Sequence, residues 1–163
     1  MIRSLLTRGV LLVFASLSGT SCHVQALSDE HRADDVLDRS RHKDLIEKFI
    51  AAYNEFDVER MVALLSPDIR FENYSGNKLT ASTVGIDDFR KLAEQSKLLF
   101  AEREQSISSI TFGRDSAIVS IEYRGRLAAD LPGGPRAGSV LQLRGVSEYS
   151  FRGDRITKIV DRS

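Results

Sequence analysis

Apolar residues recur at spacings of three and four along the first third of the chain. Leu45, Ile46, Phe49, Ile50, Tyr53 and Phe56 fall on one face of a helix. Asp57 is placed to cap a second, shorter helix with apolar positions Val58, Met61, Val62, Leu64 and Leu65, which must end before Pro67. The period then changes to two. In DIRFENY, Ile69, Phe71 and Asn73 share one face of a strand and Arg70, Glu72 and Tyr74 the other. Ser75 to Asn77 read as a turn, and KLTAST as a short strand. A longer helix begins at Ile86, with Phe89, Leu92, Ala93, Leu99 and Phe100 on one side and Asp87 and Asp88 in the first turn, where free N–H groups favour negative charge. Strands follow at Ser106–Phe112, at SAIVSIEYRGRLA with Ala117, Val119, Ile121 and Tyr123 on one face, at SVLQLRGVSEYSF, and at RITKIVD. This order predicts an α+β fold, three helices with a mostly antiparallel sheet, and not a βαβ fold.

The N-terminus is patterned differently. Arg3 and Arg8 precede an apolar run, Val10–Leu17, that is followed by small residues and by Val24-Gln25-Ala26, a small-x-small cleavage site. A membrane span needs about 20 apolar residues and this run is shorter. The expectation is a signal peptide over 1–26, a polar linker or frayed first helical turn over 27–41 and one domain over 42–163, secreted or periplasmic and with no stable membrane insertion after cleavage. An uncleaved anchor and a short buried helix are the alternatives. Lipidation at Cys22 is a further one, although Gly19 stands where a lipoprotein signal usually carries leucine.

Composition narrows the chemistry. The chain has 23 basic and 23 acidic residues. Without Arg3 and Arg8 the balance is 21 to 23, a formal −2. Charges of both signs are interspersed, which speaks against nucleic acid as a partner. Cys22 is the single cysteine, so cleavage after Ala26 leaves no thiolate nucleophile, disulfide or cysteine metal site. His23, His31 and His42 form no cluster with carboxylates, and no metal or cofactor is expected. There is no phosphate-binding glycine loop and no nucleophile elbow.

LIEKFIAAYNEFDVERMVALLSPDIRFEN, GIDDFRKL and the closing VSEYSFRGDRITKIVD resemble, in order and spacing, the superfamily of nuclear transport factor 2, ketosteroid isomerase, scytalone dehydratase and the SnoaL-like polyketide cyclases. YRGRLAADLPGGPRAGSVLQLRGVSEYSF adds to the likeness through Gly125, a proline-containing loop and Gly138. The resemblance covers Arg41 to Asp161. It implies a cone-shaped, strongly curved sheet wrapped against three helices, with a pocket at the open end for a small, partly hydrophobic molecule. It also implies a homodimer through the outer sheet face, with Glu122, Arg124 and Arg126 contributing.

The same resemblance points to individual positions. Asn73 stands where ketosteroid isomerases carry the proton-shuttling aspartate, and a neutral amide cannot accept a proton. Phe49 stands where they have an oxyanion-stabilising tyrosine. Tyr123 replaces the histidine common in SnoaL-like cyclases and is a poor base at neutral pH. The expected pocket is Phe49, Tyr53, Phe71, Asn73, Phe89 and Tyr123. The candidate acid or base groups are Glu148, which either points inward beside an arginine or lies on a solvated or dimer-facing sheet surface, and Asp161, which fits the family's closing strand. Three readings follow, in this order: a non-catalytic ligand-binding domain, a cofactor-independent isomerase, cyclase or dehydratase, and a dimeric structural or interaction module.

Overall fold

The computed structural model describes residues 20–163, with side-chain surroundings from Asp34 onward. The chain divides into residues 1–34 and a compact unit, Asp35–Ser163, and the architecture below is that of the second unit. The apolar run of the expected leader, Val10–Leu17, lies outside the described residues.

The elements in chain order are α1 (Thr20–Asn54), α2 (Val58–Val62), β1 (Leu65–Ser75), β2 (Lys78–Val84), α3 (Ile86–Lys97), β3 (Phe100–Phe112), β4 (Ser116–Leu127), β5 (Val140–Arg152) and β6 (Arg155–Arg162). The six strands form one sheet in the order β2-β1-β6-β5-β4-β3. Every pairing is antiparallel except β1 with β6. The sheet is curved and wraps against the helices as a cone, in agreement with the expected α+β class.

The helix face read from the sequence is the buried one. Leu45, Ile46, Phe49 and Ile50 sit in the core with Val119 and Ile121 of β4 and Ile156 and Ile159 of β6. Ala117, Val119, Ile121, Gly125 and Leu127 turn to the core side of β4, while Ile118, Glu122 and Arg124 are exposed, the alternation of a sheet covered on one face. α2 is capped as expected, its Asp57 carboxylate accepting from Arg60 N at 2.9 Å.

Two stretches differ from the sequence expectation. Residues 27–41, expected as a linker or a frayed first turn, are helical, being part of α1. That stretch has no apolar stripe to signal a helix, but its charges fall at helical spacing: Arg39 pairs with Asp35 at 2.7 Å and Arg41 with Asp38 at 2.9 Å. Such pairs support a helix that buries nothing. The second difference follows α3. That helix ends at Lys97, leaving Leu98 and Leu99 exposed, and Phe100 opens β3, so the charged run Ala101–Gln105 is strand.

α1 ends in a turn that matters for the site. Phe56 takes φ +59°, and Asp57 N donates to Ala52 O at 2.9 Å, closing the helix with a left-handed residue. One turn earlier, Asn54 ties the helix to β3. Its Nδ2 donates to Gln105 O at 3.0 Å and its Oδ1 accepts from Gln105 N at 2.7 Å. Asn54→Ala removes both bonds and is expected to cost about 1–2 kcal/mol, read as a lower midpoint in urea with unchanged strand content by circular dichroism.

Candidate functional site

Inside the cone is a cavity of about 360 Å³, with wall residues from all three helices and all six strands. Its apolar part is an aromatic cluster. Phe89, in the first turn of α3, lies 6.3 Å from Phe49 of α1 and 5.8 Å from Phe71 of β1, centroid to centroid, the latter pair edge to face. Tyr149 of β5 meets Phe49 at 6.2 Å, also edge to face. Edge-to-face pairs favour rigid geometry, so this wall is fixed by packing.

The structure brings Phe49, Tyr53, Phe71, Asn73, Phe89 and Tyr123 together on this one cavity. Asn73 is half-buried and engaged: its Nδ2 donates to the Thr80 hydroxyl at 2.6 Å, and that hydroxyl donates to the Asn73 carbonyl at 3.0 Å. Asn73 therefore holds β1 to β2 at the rim and leaves Oδ1 as the acceptor available to a ligand.

Asp161 is also on the wall. β6 pairs with β1 so that Asp161 is in register with Asn73, and with β5 so that it is opposite Ser147. The Ser147 hydroxyl donates to Asp161 Oδ1 at 2.6 Å. Removal from water pushes this carboxyl up to about 6, against the smaller downward pull of Ser147. The same carboxylate and burial raise the Tyr149 phenol.

Glu148 is not in the site. It is exposed, and its Oε1 accepts from Arg162 Nε at 3.0 Å. Ser147 and Tyr149 face inward, so the residue between them must face out. Of the two placements the sequence left open for Glu148, the structure takes the outward one, and the inward phase of β5 belongs to Ser147, Tyr149 and Phe151.

Two polar groups on the wall complete the site, and one was not foreseen. Arg103 of β3 is 6 % exposed. Its Nε donates to the Tyr53 carbonyl at 2.9 Å, and its guanidinium stands 3.7 Å from the Tyr53 ring centroid and 4.3 Å from that of Phe56. The left-handed turn at Phe56 brings the second ring into this sandwich. Burial lowers the guanidinium's pKa, although the group remains cationic at any ordinary pH. Arg103 shares a sheet phase with Gln105 and Ile107, in a stretch whose charge argued against a strand.

Tyr123 of β4 is the other. Arg103 pairs with Gly125 across the β3–β4 ladder, and Gln105 with Tyr123. A Cβ at Gly125 would lie 2.6 Å from Tyr123 Oη and 3.0 Å from the Phe100 ring, so only glycine lets the Tyr123 side chain lie along the strand toward Arg103. Burial raises the Tyr123 phenol strongly, with the neighbouring Tyr53 adding to it. It is a hydrogen-bond donor at neutral pH and not a base.

Among the described residues, no three His, Cys, Asp or Glu side chains gather as a metal site. His42, buried in the core and stacked on Phe151 at 4.0 Å, is not among the residues of the cavity wall.

Residues 46–159 match the family model of the SnoaL-like domain. No curated protein matches the chain. Among solved structures, one similar protein, from Xanthomonas campestris pv. campestris, carries the provisional name polyketide cyclase. It is 18% identical, with 77% of this chain and 91% of that chain covered and a TM-score of 0.66. AclR from Streptomyces galilaeus, provisionally a hydroxylase, is 24% identical over 76% of this chain and 87% of its own, with a TM-score of 0.60. TerC, co-crystallised with polyporic acid, is 13% identical over 74% of this chain and 89% of its own, with a TM-score of 0.61.

Proposed function

Because the chain belongs to the family of SnoaL-like domains, we propose that its cone holds a small, flat, partly apolar organic molecule without transforming it, and does so outside the cytoplasm. The SnoaL-like family and the fold shared with a provisional polyketide cyclase support a domain that binds a small molecule, or acts on one as an isomerase or cyclase. The observation that carries the binding reading is the wall itself. A cavity of about 360 Å³ is lined by rigid aromatic rings with a few fixed polar groups, the composition of a ligand pocket. TerC, with the same fold, was crystallised with a small organic ligand.

The test is native mass spectrometry of protein purified from its natural host. A co-purifying small molecule, released unchanged in mass after prolonged incubation, supports the binding reading. An empty cone under all conditions opposes it. Asn73→Ala removes the rim acceptor and is expected to weaken the recovered ligand by about 1 kcal/mol, measured by calorimetry, with the fold unchanged.

A second reading rests on Asp161. A carboxyl titrating at about 6 inside the cavity can take up a proton from a substrate carbon or hydroxyl and return it. That is the chemistry of a cofactor-independent isomerase, cyclase or dehydratase. A change of ligand mass or isomer on incubation, lost in Asp161→Asn, favours it.

Export and dimerisation belong to the same proposal. The charged start, short apolar run and small-residue site support cleavage near Ala26. N-terminal sequencing that begins around Leu27 supports this, and an intact Met1 or a lipid on Cys22 opposes it. The outer sheet face carries Ile118, Glu122 and Arg124, all exposed, which suits a pairing of two copies. Ultracentrifugation showing only monomer at tens of micromolar, on the scale at which weak dimers form, opposes it.

A further inference from the structure

The Arg103 guanidinium is out of water, and no carboxylate among the described residues acts on it. A buried cation is costly unless an anion or a full set of acceptors compensates it, and arginine cannot shed its proton to escape that cost. Here the compensation is incomplete. Nε has the Tyr53 carbonyl and two aromatic faces cover the plane, but Nη2 has no acceptor. Tyr123 Oη, which lies over Gly125 opposite Arg103, is also buried, with the Tyr53 phenol beside it. Both residues line the cavity. Two buried donors on adjacent strands, one of them cationic and short of an acceptor, leave room in the hydrogen-bond set for an acceptor from a ligand.

We infer that Arg103 and Tyr123 form an oxyanion subsite, and that the molecule held in the cone is an organic acid whose carboxylate, enolate or phenolate oxygen accepts from Arg103 Nη2 and the Tyr123 hydroxyl. This rests on the cone being a ligand site and adds the ligand's charge and direction. The planar guanidinium is held by stacking on Tyr53 and Phe56, so it is already oriented, and orientation before binding is what makes such a contact favourable. Asp161 is on β6, separated from β4 by β5, and once ionised it repels an anion. The acidic oxygen therefore lies toward β3 and β4, and the rest of the molecule lies toward Phe71 and Phe89.

The experiment compares 2-naphthoate with 2-naphthamide, two probes of nearly equal shape that differ in charge, by calorimetry on the purified protein. Naphthoate is expected to bind about tenfold tighter or more. Arg103→Gln should abolish that preference, and Tyr123→Phe should reduce it while leaving naphthamide unchanged. Equal binding of the two probes to the unaltered protein overturns the oxyanion subsite and leaves the cone as a binder. A preference that survives in Arg103→Gln also overturns it, because the charge then comes from Arg144 or Arg162 at the wall. Binding of neither probe removes both readings. Should Arg103→Gln not fold, the Arg103 Nε–Hε resonance of the unaltered protein serves instead. It should shift with naphthoate and not with naphthamide, and an unmoved resonance overturns the assignment.

Discussion

Phe89→Ala is expected to lower the free energy of unfolding by about 3–5 kcal/mol. The ring is 4 % exposed and is the buried residue of α3, meeting Phe49 and Phe71, with Ile86 and Ala93 packed less deeply against the core. Its removal does not leave a sealed void that neighbours can close. It opens onto a cavity that already measures about 360 Å³, so collapse is blocked by the sheet on the far side and the cost falls toward the upper end. Against a usual domain stability of about 5–15 kcal/mol, this is a large fraction. Urea denaturation measures it. Leu98→Ala, at a residue 75 % exposed just past the same helix, should change stability by less than about 0.5 kcal/mol. If the two variants behave alike, α3 is not anchored through Phe89.

Asp161→Asn is expected to stabilise the protein at pH 7.5 by about 2–3 kcal/mol and to be nearly neutral at pH 3.5. The folded carboxyl titrates at about 6, above its ordinary 3.8. Between those values the native state holds a proton that the unfolded chain has released, so stability falls as pH rises through this window. Above about 6 the penalty is complete, because the folded protein must then carry a carboxylate removed from water. Below the unfolded value both states are protonated and the penalty vanishes. Asparagine keeps an acceptor for the Ser147 hydroxyl without the charge. The check is the unfolding free energy from pH 3.5 to 8. The unaltered protein should show a decline between about 4 and 6 that the variant lacks. A flat profile in the unaltered protein would mean that the carboxyl is solvated in the folded state.

The parts of this molecule that bury one clean face were legible beforehand. The α1 stripe and the β4 alternation are each decided by the cost of putting an apolar residue in water, and both appear as drawn. That Phe49, Tyr53, Phe71, Asn73, Phe89 and Tyr123 meet on one wall followed from helix and strand periods together with the family likeness. Glu148 was left open between an inward and an outward position because β5 carries both apolar and charged residues on neighbouring positions, and only the partner strands decide which face is covered. Arg103 was passed over because AEREQ looks like helix or loop by composition. Its burial is a tertiary effect, made by Tyr53 and Phe56 from α1 and its terminal turn, and no local pattern encodes that. Residues 27–41 are helical, and from Asp35 to Arg41 the helix carries ion pairs along its own surface, for which hydrophobic periodicity has no reading.

The position of β6 has a consequence for how the chain reaches this state. The last strand is not at an edge; it lies between β1 and β5 and makes the sheet's one parallel pairing. β3, β4 and β5 follow one another as an antiparallel meander and can form as soon as they leave the ribosome. β1 and β2 cannot join them, because the strand that bridges the two halves runs to Arg162. Such long-range pairing is slow, since loop entropy is lost before the contact is gained. Until residue 162 is out, Phe71 and Phe89 have no closed cone to face and the chain remains two incomplete pieces. Fusing a sequence that stalls synthesis before β6 has emerged should hold β1 and β2 in a protease-sensitive form while the β3–β5 meander gains protection.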